Sequence, residues 1–139
     1  MLKTNLLHPE ILRALAAAGH GAKVLVSDGN FPHSTGSNAY AAHVYLNLAP
    51  GLLSVTDVLK VVAAAIPVEA AETMATADGT EPPIWAEFRA LLPDQTLRPL
   101  ERWAFYETAR GHDVALVIAT GEQRIYANIL LTIGVVAPP

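Results

Sequence analysis

The stretch from Gly19 to Gly36, Gly-His-Gly-Ala-Lys-Val-Leu-Val-Ser-Asp-Gly-Asn-Phe-Pro-His-Ser-Thr-Gly, constrains the fold most. Its centre, Lys23–Ser27, is a short run rich in β-branched residues and reads as a buried strand. Ahead of it, Gly19 predicts the close of a helix, because glycine tolerates the left-handed backbone that ends helices. Behind it, Asp28 stands where the strand gives way to a loop of Gly, Asn, Pro, Ser and Thr. Open α/β sheets gather their ligand chemistry just past the carboxyl ends of strands, which makes Asp28 a candidate site residue. His20, in the turn before the strand, is a second. The two invite a shared pocket, yet in a monomer they lie at opposite ends of the strand, so one subunit need not hold both.

The rest of the chain alternates between helical and extended patterns. Pro9–Ala18 reads as a helix, with proline pre-organised for the first turn and Ile11, Leu12 and Leu15 on one face. Ala42–Leu48 reads as a strand, and Pro50-Gly51 as a turn. Ser54, with Asp57 three residues on, predicts a capped helix over Val55–Ala65, apolar nearly all round and therefore expected to be sandwiched. Pro67 stops it. Strands are predicted over Val68–Ala75, Thr96–Leu100, Val114–Ala119 and Asn128–Val136, and helices over Ile84–Leu92 and Glu101–Arg110. This alternation favours one α/β domain spanning residues 1–139, a three-layer α/β/α sandwich with a mainly parallel or mixed central sheet.

Composition narrows the function. Hydrophobic residues make up 52% of the 139 and charged ones 16%, more apolar than a small monomer needs, which points to subunit interfaces in a homo-oligomer. The net charge of -4 and the lack of a basic run argue against nucleic acid. The absence of cysteine excludes disulfides and thiolate metal sites and suits a cytoplasmic protein. Met1–Glu10 has no apolar signal core, and no apolar run approaches the roughly 20 residues of a membrane span, so no membrane partner is expected. The five histidines are scattered, with no pair at the helical spacing of metal ligands, and no metal is expected.

Two further groups carry polar chemistry. Arg102 and Tyr106 are four residues apart on one helix face, beside Trp103 and Phe105. An arginine next to aromatic rings can take a polyol by forked hydrogen bonds and stacking, although core aromatics with a surface ion pair would read the same way. Tyr126 and Asn128, spaced by two, point to one side if the backbone is extended. They offer a hydroxyl, an amide donor and an amide acceptor, the inventory that sugar hydroxyls require; a strand-entry turn is the plainer reading. His33 reads as a loop residue.

Gly-His-Gly, Ser-Asp-Gly-Asn-Phe-Pro, Pro-Ile-Trp, Glu-Arg-Trp-Ala-Phe-Tyr-Glu, Ala-Thr-Gly-Glu and Tyr-Ala-Asn-Ile-Leu-Leu follow one another along the whole chain. In that order they resemble the L-fucose mutarotase and D-ribose pyranase family, and the Arg102–Glu107 stretch resembles its fucose branch. The resemblance implies an α/β sandwich, interconversion of sugar anomers in the cytoplasm without a cofactor, and a homo-oligomer, commonly a ring-like decamer with sites shared between neighbouring subunits. It assigns proton donation to His20 and sugar binding to Asp28, Arg102, Tyr126 and Asn128, with His33, Tyr106 and Trp103 as further candidates. The chemistry agrees: histidine is the side chain here whose ordinary pKa lies near neutrality, so it can give and take a proton within one turnover. A non-catalytic monosaccharide-binding module, a D-ribose pyranase, and a small metal-independent isomerase or hydrolase are the alternatives.

Overall fold

Local signals place the elements, and their ends are set by identifiable contacts. In the computed structural model, which describes residues 1–139, the chain runs α1 (Pro9–Ala17), β1 (Lys23–Ser27), β2 (Ala42–Tyr45), α2 (Val55–Ala63), β3 (Val68–Met74), α3 (Ile84–Leu91), β4 (Leu97–Leu100), α4 (Arg102–Ala109), β5 (Val114–Ala119) and β6 (Ile129–Ile133). The capping box forms as the sequence predicts: Ser54 Oγ accepts from the Asp57 N–H, and Asp57 Oδ2 accepts from the Ser54 N–H, each at 3.1 Å.

Three expectations are corrected. α1 does not close on a left-handed Gly19. Its cap residue Ala18 is already extended, and the left-handed turn falls at Gly21 (φ 83), whose N–H is bound by the Ile133 carbonyl at 2.9 Å. α2 is not sandwiched. Val55, Val58, Leu59 and Val62 are buried while Asp57 and Lys60 face outward, because the alanines that made the helix look apolar all round cost little at the surface. The second strand stops at Tyr45 rather than Leu48: the chain leaves the ladder after the Leu46 N–H bonds the Ala119 carbonyl at 2.8 Å, then turns through Pro50-Gly51.

The sheet order is β2-β5-β1-β6-β3-β4. β1 is parallel to β5 and β5 to β2, while β6 is antiparallel to both β1 and β3, and β3 is parallel to β4. Five strands therefore point one way and β6 alone is reversed. The carboxyl ends of β1, β3, β4 and β5 share one edge of the sheet with the amino end of β6.

Side chains alternate across the sheet. Val24 and Val26 join α1, α2 and α3 in one core layer, while Leu25 packs with Val117, Leu130 and α4 in the other. Each fully buried Val, Leu or Phe contributes about 1.5–3 kcal/mol. α2 buries four aliphatic side chains and α4 only Phe105 and Ala109. The α4 layer is thus held by less apolar burial, which leaves the Arg102–Tyr106 face open to a cleft.

Candidate functional site

That cleft lies at the edge where the strand ends meet. Asp28 comes from the end of β1, Met74 from β3, Arg102 and Tyr106 from one face of α4, and Tyr126 and Asn128 from the approach to β6. They enclose about 240 Å³, below the roughly 300–1,000 Å³ of pockets that hold larger ligands, and suited to one monosaccharide. Arg102 makes no hydrogen bond or ion pair within the subunit; its guanidinium lies over the Trp103 ring, 4.8 Å from the centroid. Tyr106 is wedged edge-on between Phe31 and Trp103, at 5.5 and 5.7 Å between ring centroids.

Asp28 and Asn128 form a clasp at the floor. The Asp28 N–H donates to Asn128 Oδ1 at 2.8 Å, and Asn128 Nδ2 donates back to Asp28 Oδ2 at 3.0 Å. Oδ2 also accepts from the Ala127 N–H, and Oδ1 from the N–H groups of Asn30 and Phe31. Four donors fill the carboxylate's acceptor sites. Burial pushes the Asp28 carboxyl above its ordinary value, against the opposing pull of these hydrogen bonds. The donors are all neutral, so no cation offsets the cost of desolvation.

Tyr126 takes the strand-entry turn rather than the extended backbone: its φ is 59, and it is the one residue other than glycine in the left-handed region. For a bulky side chain such backbone costs about 1–3 kcal/mol, and such outliers concentrate at functional sites. The turn starts at Gly121, where an added Cβ would stand 2.3 Å from the carbonyl oxygens of Ala49 and Leu52.

His20 is elsewhere. It stands before the amino end of β1, where its Nε2 lies 2.7 Å from Glu69 Oε2, and both side chains are more than half exposed. The five residues of β1 alone put at least about 16 Å between the two ends. Within one subunit, His20 and Asp28 share no pocket.

Residues 1–136 match the family model described as the RbsD / FucU transport protein family. The chain belongs to this family. It is 32% identical over 147 residues to a fucose mutarotase of Danio rerio, covering 96% of this chain and 92% of the relative. It is 37% identical over 139 residues to a D-ribose pyranase of Paracidovorax citrulli, covering 97% and 98%. The solved structure of Bacillus subtilis RbsD complexed with D-ribose superposes with a TM-score of 0.85 at 28% identity, over 99% of this chain and all of that one.

Within this RbsD/FucU fold, the remaining candidates separate. Trp103 is 62% exposed and borders an adjoining depression with Arg102 and Tyr126. His33 lies behind the cleft: its Nδ1 is 2.9 Å from Ser27 Oγ, its Nε2 is buried without a partner, and burial followed by the neighbouring His43 pushes its pKa down. No three His, Asp or Glu side chains converge as metal ligands, and no helix is long and apolar enough to cross a membrane.

Sequence reasoning missed two features. Glu69, the partner of His20, is 49 residues away in the chain and has no local signal. The second is the pairing of Glu122 with Arg124, which no local signal marks as more than part of a turn. In the fold, Arg124 holds the buried Glu122 carboxyl down at about 2.

Proposed function

We propose that this protein is a sugar mutarotase that interconverts the anomers of a free monosaccharide, L-fucose or a close relative. The convergence of Arg102, Tyr106, Tyr126 and Asn128 on one monosaccharide-sized cleft carries this reading, together with membership of a family that includes fucose mutarotases and D-ribose pyranases. Arg102 can only donate, and suits hydroxyl oxygens. Tyr106 and Tyr126 add phenol groups, and Met74 and Phe31 offer the apolar contact that a methyl-bearing six-membered ring would fill. Asp28, expected to bind sugar hydroxyls, has its carboxylate taken up by four internal donors, and in this reading it lines the cleft and holds Asn128 and the 29–31 loop in place.

Mutarotation moves two protons. The ring oxygen gains one as its bond to the anomeric carbon breaks; the anomeric hydroxyl loses one as its oxygen forms the carbonyl. Rotation about the adjacent carbon–carbon bond and reclosure invert the centre. His20 is the proton donor in this reading, supplied by a neighbouring subunit of a homo-oligomer, an arrangement that the separation of the two ends of β1 supports. With Nε2–H donating to Glu69, Nδ1 is the atom free to face the sugar: as imidazolium it gives its proton to the ring oxygen, and as neutral imidazole it takes the proton of the anomeric hydroxyl. The exposed Tyr40, Leu48 and Ile125 favour assembly, and a ring-like decamer in the cytoplasm fits the family reading.

Saturation-transfer NMR on equilibrated L-fucose, D-ribose, L-rhamnose and D-galactose tests the activity. Accelerated exchange of fucose anomers is expected, with no new compound formed. Acceleration for ribose alone would instead favour the pyranase reading, which the 37% identity to a pyranase keeps in view. A ligand bound without any acceleration would make the protein a binding module. Light scattering that shows an active monomer at micromolar concentration would sink the shared site.

A further inference from the structure

Tyr126 is held in its left-handed conformation from two sides. On the strand side, the Ala127 N–H and Asn128 Nδ2 are clasped by Asp28 Oδ2, at 3.2 and 3.0 Å. On the other side, the turn is locked by charge. Arg124 forks onto Glu122, with Nε to Oε1 and Nη2 to Oε2 both at 2.9 Å, and its backbone N–H also reaches Oε1 at 3.0 Å. The third arm, Nη1, reaches Glu87 Oε2 on α3 at 2.9 Å. Glu122 is itself buried, and its Oε2 accepts the Val55 N–H at the first turn of α2 at 3.3 Å. Glu122 and Arg124, the latter two residues before the strained tyrosine, therefore rivet the turn to two helices of the opposite layer.

We propose that Arg124, bridging Glu122 and Glu87, is a positioning residue for the sugar site: it anchors the 121–125 turn so that Tyr126 is held in place at the cleft. The argument is geometric. A forked arginine–carboxylate pair fixes orientation as well as distance, which a point charge cannot do. A bulky residue at positive φ relaxes to ordinary backbone when its neighbours allow it, and relaxation here would carry the phenol away from Asn128 and Arg102. Surface screening makes the outer Arg124–Glu87 contact a weak stabiliser, since both side chains are 41% or more exposed. Its value lies in where it points the turn.

The kinetic arm of the test rests on the mutarotase reading; the structural arm does not. Arg124→Ala, Arg124→Lys and the double variant Glu122→Gln/Arg124→Ala are compared with the wild type. Arg13→Ala, which breaks the remote and exposed Arg13–Glu10 pair, is the control. Two quantities are read: exchange of L-fucose and D-ribose anomers, and hydrogen exchange at the Asp28 and Ala127 amides. Arg124→Ala should lower kcat/KM about tenfold, mostly through KM, the scale of a misplaced binding group. It should speed exchange at the Asp28 and Ala127 amides about tenfold while the β5 amides of Leu116–Ile118 stay protected. Arg124→Lys should recover only part of both. The double variant should match Arg124→Ala, which excludes a stranded Glu122 charge as the cause. Unchanged exchange at Asp28 and Ala127, or equal acceleration in β5, overturns the inference whether or not the protein catalyses anything. Wild-type protein that accelerates no sugar defeats the mutarotase reading instead, and the amide result then decides this one alone.

Discussion

The two ends of β1 are built in opposite ways. At its carboxyl end Asp28 is 2% exposed, saturated by four neutral donors and closed over by a cleft. At its amino end the His20 and Glu69 side chains are 59% and 53% exposed, and their contact is the principal one His20 makes. An exposed pair of this kind is worth about 0.2–1 kcal/mol, too little to be there for the fold. The clasp is different: each buried polar group it satisfies would cost about 1–3 kcal/mol if left unpaired. The contrast teaches a division of labour. Binding needs a rigid concave surface, which one subunit builds by itself. In the proposed mechanism the accessible His20, presented outward by one subunit, would serve the cleft of another.

The sharpest way to break this comparison is His20→Ala. Anomer exchange at saturating sugar should fall by roughly 10²-fold or more, the scale of one general acid–base group, while calorimetric affinity falls far less and the melting temperature is unmoved. A fully active variant would shift proton transfer to the cleft end, with Tyr126 or His33 next in line. Asn128→Ala should come second and should behave in the opposite sense. It strands the buried Asp28 N–H and leaves Asp28 Oδ2 with the Ala127 N–H alone, so it should cost about 2 kcal/mol of stability as well as affinity, read by denaturant unfolding beside calorimetry. Unaltered unfolding would mean that the clasp is not what holds the cleft.

Arg102→Ala should weaken sugar binding by about tenfold, near 1.4 kcal/mol, without changing stability, because Arg102 is exposed and bonds nothing in the subunit. A variant that destabilised the fold instead would place Arg102 with the scaffold. The smallest effect concerns acid. Glu122 has a folded pKa near 2 against an ordinary 4.5. A depressed carboxyl contributes stability that is present above 4.5 and lost as pH falls toward 2. After allowance for the partly exposed Arg124, that loss should be about 1 kcal/mol. Asp28, shifted the other way, has the opposite sign: just above its ordinary value its protonation favours the folded state, and stability is lost as pH rises through that window. Urea unfolding from pH 6 to pH 2 should show a shallower acid limb for Glu122→Gln than for wild type. Parallel curves would remove Glu122 as a source of acid sensitivity.

Local signals along the chain suffice for the elements and for the residue types of the cleft. The ten elements and the Ser54–Asp57 capping box arise from periodicity, prolines and caps that act within about four residues, and such signals survive in a linear reading. Arg102 and Tyr106 were legible for the same reason, since helical spacing alone puts them on one face, and Asp28 was legible from its place after a strand. Which residues meet depends on contacts far apart in the chain. The reversal of β6 between β1 and β3 brings Asn128 to Asp28 across 100 residues, and the pairing of Glu69 with His20 spans 49. Neither the shift of the left-handed turn from Gly19 to Gly21 nor the left-handed Tyr126 could be read locally. Gly21 is set by its bond to Ile133, and Tyr126 is held between the Asp28 clasp and the Arg124 fork. Backbone that is unfavourable on local grounds persists only where distant contacts outweigh its cost, and those contacts exist only once the sheet has chosen its order.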